Sequence, residues 1–111
     1  MGCQMRIISY GEVEAKETEG SSKLKIRWLN NEGSRNFAVR HIEIEPDGYS
    51  PHHSHPWEHE IFVLEGSGTA VGEKGVELIS IGDLVSIPGG EVHQIKNTGK
   101  SALRILCMIP K

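Results

Sequence analysis

The sequence has almost no cysteine. Cys3 and Cys107 stand at opposite ends of the chain, so no disulfide framework is expected and both thiols read as reduced. There is no apolar run near the roughly 20 residues that a membrane-spanning helix needs. Neither charge sign dominates: 12 Lys and Arg stand against 15 Asp and Glu, for a net charge of −3. The basic residues are scattered, which removes the electrostatic footprint of a binder of nucleic acid or anionic lipid. No stretch carries an apolar i, i+3, i+4, i+7 stripe over three turns, so the chain does not read as helical. A soluble, cytoplasmic protein with no nucleic-acid or membrane partner is the expectation.

What the chain does have is punctuation. Thirteen glycines and five prolines cut it into short apolar runs. NFAVRHIEIE, HEIFVLEG, DLVSIPGG, EVHQIKN and ALRILCMIP are each strand-length, and they alternate or are rich in β-branched residues. Turn sequences such as Pro46-Asp47-Gly48 and Asn97-Thr98-Gly99 separate them. Many short strands in 111 residues predict one all-β sandwich or barrel, closed enough to hide adhesive edges. Residues 1–34 are expected to form an N-terminal arm and the first strands, and residues 35–111 the barrel core. Within the arm, GEVEAKETEG is polar all round and reads as mobile.

Histidine is the residue in excess. Of six, four lie between Pro51 and Glu60, and such a tract is a compositional pointer to metal binding. Alternation sharpens it, because residues two apart in a strand share a face. In HHSHPWEHEIFVL, His53 and His55 share a face, and His59 shares one with Ile61 and Val63, while Glu58, Glu60 and Phe62 point the other way. Much later, His93 shares a face with Ile95 and Asn97. If the apolar faces are inward, three imidazoles from one hairpin and a fourth from a distant strand converge on a single ion. The alternative, four separately hydrogen-bonded core histidines, would bury several polar groups at a cost of several kcal/mol. Neutral imidazole suits Mn, Fe, Ni, Cu and Zn, and four nitrogens with open positions suit an octahedral ion better than a closed zinc site. His41 goes with Glu43 and Glu45, and His52 with Ser54, so both are expected on the surface.

These residues resemble the two motifs of the cupin family. GYSPHHSHPWEHEIFVLEG is similar to the first motif, G-(x)5-HxH-(x)3,4-E-(x)6-G, with one residue fewer between Gly48 and His53. GDLVSIPGGEVHQIKN fits the second, G-(x)5-PxG-(x)2-H-(x)3-N, at Gly82, Pro88, Gly90, His93 and Asn97. The resemblance covers about residues 35 to 110. It implies the cupin double-stranded β-helix, a jelly-roll-like barrel with a metal in its mouth. Counting back from Gly66, the position usually held by Glu is His59, so the chain resembles the four-histidine, manganese-binding cupins. One divalent transition metal is therefore expected on His53, His55, His59 and His93, with Mn the first choice and Fe, Ni, Cu or Zn the others.

An imidazole in place of a carboxylate makes the site more positive by one charge. That favours an anionic ligand and disfavours a trivalent metal. Parity brings Arg40, with Ile42 and Ile44, and Cys107, with Leu103 and Ile105, toward the cavity. The alternatives are a strand-end surface arginine and an inert core thiol. No carboxylate points inward near the histidines, which leaves Tyr49 as the candidate base. Trp57 is expected to cover the site or to meet another subunit. A metal-dependent oxygenase acting on a small organic molecule is the first functional expectation. A non-redox isomerase or lyase and a non-catalytic sensing module are the alternatives, because the fold hosts all three classes. A homodimer is expected, since small cupins pair through their sheets and Phe37 and Val39 suggest an exposed apolar face.

Overall fold

In the computed structural model, which describes residues 5–30 and 34–111, the described residues form eight strands and one short 3-10 turn at Tyr10–Glu12. The strands are β1 (Ser22–Trp28), β2 (Phe37–Tyr49), β3 (His59–Glu65), β4 (Ser67–Gly72), β5 (Gly75–Ser80), β6 (Leu84–Ile87), β7 (Gln94–Lys96) and β8 (Leu103–Pro110). Pairing is antiparallel throughout. The order is β5-β4-β7-β2-β8-β3-β6, with β1 also on β2. This is an all-β, curled antiparallel sheet in a single domain, as the alternating runs predict. Among the described residues no helix is long and apolar enough to cross a membrane.

The long strand β2 makes the curl. Its first half pairs with β1 and β8, from Arg40 to Ile44, while Tyr49 at its end pairs with Lys96 of β7. One strand thus serves two sheet halves, and it turns between them at Pro46-Asp47-Gly48. Asp47 takes a positive φ of 72°. A Cβ on Gly48 would lie 2.6 Å from the Ser22 carbonyl oxygen, so only glycine fits that corner. Beyond it, Tyr49 is exposed and borders a depression with Asp47, Lys96 and Thr98.

Core residues follow the expected parity. Leu24 and Ile26, Ile42 and Ile44, Ile61 and Val63, and Leu103, Ile105 and Cys107 all point inward and are buried. Their β-branched shapes pack well on a pleated face, and each fully buried side chain contributes roughly 1.5–3 kcal/mol through the apolar area removed from water. Gly66, Gly82 and Gly90 have φ near +90°, as turn residues should.

One expectation needs correction. His41 does face out of the barrel with Glu43, but it is only 6% exposed. Its cover comes from Tyr10, just before the polar segment. Tyr10 stacks on the His41 ring at 4.5 Å, and Arg104 donates to the Tyr10 hydroxyl at 3.1 Å. Farther along the arm, Arg27 donates to the Val13 carbonyl, and Lys16 and Ile26 exchange backbone hydrogen bonds. Burial, then the charges of Arg104 and Arg27, lowers the His41 pKa. Cys3 lies outside the described residues.

Candidate metal centre

Three separate devices bring the histidines together. His53 and His93 sit opposite each other in an isolated bridge, exchanging backbone hydrogen bonds of 3.2 and 2.9 Å. The Gly90 amide donates to the His55 carbonyl at 2.7 Å. A Cβ on Gly89 would strike the Pro56 carbonyl oxygen, so the Pro-Gly-Gly turn sets how closely the two loops approach. His59 opens β3, paired with Ile87, and shares the inward face with Ile61 and Val63.

One ring nitrogen from each of His53, His55 and His93 lies within 4.8 Å of the others. His53 is exposed and His93 buried, so the triad runs from the mouth inward. Edge-on ring contacts tie His55 to His53 and to His93 at 4.5 and 5.2 Å. Trp57 stacks flat on His55 at 4.9 Å and 4°, covering one side of the ring. His59 lies against the cluster, with Nδ1 3.2 Å from His93 Nε2, but its other nitrogen faces Arg40.

Proton positions follow from the donors. A guanidinium can only donate, so His59 Nε2 accepts from Arg40 Nη2 at 3.0 Å. The proton of neutral His59 is then on Nδ1, directed at His93 Nε2. His93 carries its own proton on Nδ1, which donates to the Glu91 carbonyl at 2.9 Å. That last bond fixes the His93 ring and turns its Nε2 lone pair into the cluster, the usual support for a metal-ligating histidine.

Electrostatics favour neutral rings. Burial is the largest cause of lowering at His53, His55 and His59. The neighbouring imidazoles and Arg40 add to it, taking His55 to about 4 and His59 to about 3. These rings are therefore neutral near pH 7, as metal ligation requires, although the His59 lone pair is held by Arg40. The cavity holding all four histidines has a volume of about 80 Å³ and, among the described residues, no Asp or Glu in its lining. Arg40 and Cys107 both line it, as parity predicts, and Arg40 donates to Cys107 Sγ at 2.8 Å. Burial pushes the Cys107 thiol up, against the pull of Arg40. Tyr49 is not part of this lining, because the corner at Gly48 carries it past the cavity.

Thr18 and Ser50 border the cavity, and the sequence carries no sign of either. Thr18 arrives with the arm, while Ser50 is held by the Ile95 amide donating to its hydroxyl at 2.8 Å. Asn97 is buried and serves the strand turn, donating to the Ile44 and Ser101 carbonyls and accepting from the Gly99 amide.

Comparison with known proteins places this geometry. The family model for the cupin domain matches residues 40–109. A 1-methylthio-D-xylulose 5-phosphate methylsulfurylase of Rhodospirillum rubrum is 35% identical over 64% of this chain and 46% of its own. A germin-like protein, subfamily 2 member 2, of Arabidopsis thaliana is 33% identical over 78% of this chain and 41% of its own. The chain thus spans less than half the length of these relatives. Among solved structures, the polyketide cyclase RemF of Streptomyces resistomycificus superposes with a TM-score of 0.88, at 32% identity. That match covers 96% of this chain and 80% of that one.

Proposed function

The chain belongs to the cupin superfamily, and from that premise we propose that it is a metal-dependent enzyme acting on a small organic molecule. The observation that carries the reading is the convergence of three imidazole nitrogens within 4.8 Å in a cavity whose described lining has no carboxylate. A divalent transition metal fits that donor set. His53, His55 and His93 would hold it, and His59 would join as fourth ligand once a ring nitrogen leaves its neighbours. Manganese is the first candidate. A bound metal supplies a Lewis-acidic centre and, for Mn or Fe, a redox couple.

The side chains around the cluster narrow the chemistry. Glu91 orients His93 through its carbonyl, and Trp57 shields one face of His55. A pocket of neutral imidazoles without a carboxylate base supports an oxygenase over a base-driven isomerase. Oxygen uptake by Mn- or Fe-loaded protein with simple alkenes, phenols or thiols tests this; no uptake with either metal contradicts it. The second reading is non-redox chemistry at a Lewis-acidic metal. It is favoured by likeness to a polyketide cyclase and a methylsulfurylase. Metal-dependent turnover that persists without oxygen distinguishes it.

The same proposal includes a homodimer. On the outer face, register aligns Leu106, Phe62 and Leu84 in one row across β8, β3 and β6. Phe62 and Leu84 are exposed, as is Phe37. A monomeric sedimentation profile would remove this part.

A further inference from the structure

Among the described residues, Arg40 is a cation without a counter-ion. Its Nη2 donates to His59 Nε2 and Cys107 Sγ, and its guanidinium lies 5.1 Å over the Trp28 ring. None of these partners carries negative charge: the ring nitrogen is a lone-pair acceptor and the thiol is protonated. Arg40 Nε is buried and has no hydrogen-bond partner among the described residues. Arg104, on the opposite face of the sheet, has Glu43 at 3.7 Å and Glu65 at 3.4 Å. Arg40 is partly buried, and a charge drawn out of water without a matching partner is held at a cost. A fold that keeps one beside a cavity has left the matching charge to a ligand.

We propose that Arg40 is the recognition residue for a small carboxylate, which its guanidinium binds from inside the histidine cavity. A planar carboxylate matches the fork of a guanidinium. The cavity, about 80 Å³, is far below the roughly 300–1,000 Å³ of ordinary ligand pockets, which limits the group that enters to a few heavy atoms. Every ionisable side chain in the described lining is an imidazole, a thiol or Arg40 itself, so nothing there repels an anion. Should His59 turn to a metal, Arg40 loses one of its two hydrogen-bond partners and its need for an anion grows.

The proposal names the ligand class of the site read above and rests on that cavity being the working site, but its test does not need a metal. The Arg40 Nε–H resonance is followed by nitrogen-15 NMR in metal-free and zinc-loaded protein. The probes are sodium formate, sodium acetate and inorganic phosphate, with chloride at equal ionic strength as reference. Expected is a saturable shift with formate or acetate that chloride does not reproduce, and at least tenfold weaker binding in Arg40→Met. No saturable shift in the wild type overturns the proposal, whether or not the variant folds. Equal binding by a folded Arg40→Met does so too, and so does a shift with phosphate alone. An intact shift in a protein that takes up no metal removes the metal reading and keeps this one; metal uptake without the shift does the reverse.

Discussion

Two histidine sites lie on opposite faces of β2, and they differ in the company they keep. His41 faces outward under Tyr10, between Arg27 and Arg104, with Glu43 beside it. One residue earlier, Arg40 faces inward to a cluster of four imidazoles with no acid in the described lining. Both sites bury histidine, and in both the ring pKa is lowered mainly by desolvation. Burial and a low pKa therefore do not identify a ligand. Convergence does: His41 stacks on a phenol, whereas His53, His55 and His93 aim nitrogens at one another across 4.8 Å.

The largest effect that separates the two sites is on metal affinity. His93→Ala should weaken binding of Mn(II) or Zn(II) by more than the roughly 10–100-fold that loss of an outer partner costs, while His41→Ala leaves it unchanged. Calorimetric titration decides, and equal losses would break the distinction.

Acid stability comes next. In the unfolded chain these histidines protonate near 6.5, but folded His55 and His59 stay neutral down to about 4 and about 3. Below pH 6.5 the unfolded state binds more protons, so the metal-free protein loses stability as pH falls from 6.5 toward 3. Urea midpoints between pH 7.5 and 5 should show this slope, and His59→Gln should flatten it more than His41→Gln.

The outer site should answer to packing instead. Tyr10→Ala removes a ring stack and two cation–π contacts, worth together about 1.5–3.5 kcal/mol of stability. Thermal melting should register that loss with metal affinity intact. Smallest is Glu65→Gln, because its pair with Arg104 is largely exposed. A change below about 1 kcal/mol, shrinking further in salt, is expected from denaturant melts.

Strand parity made the inner site legible. A two-residue repeat on a half-buried sheet put His59 with Ile61 and Val63, and Arg40 with Ile42 and Ile44, and all of them line the cavity or the core. The motif spacing singled out His59 rather than Glu60, and Glu60 instead accepts a hydrogen bond from Ser86 on the outer face. Parity says which way a side chain points but not what covers it. His41 reads as a surface residue because its cover comes from Tyr10, anchored by Arg104 at a separation of 94 residues. Tyr49, the loop residue offered as a base, stands beyond the left-handed turn at Asp47 and outside the described lining of the cavity. Thr18 and Ser50 reach the cavity from irregular segments, where no period operates.

The most direct measurement is elemental analysis of protein purified without added metal, run beside His93→Ala. One equivalent of a transition metal per chain in the wild type, and essentially none in the variant, is expected. No metal in either protein, even after dialysis against Mn(II) or Zn(II), or equal metal in both, would contradict a centre built on these histidines.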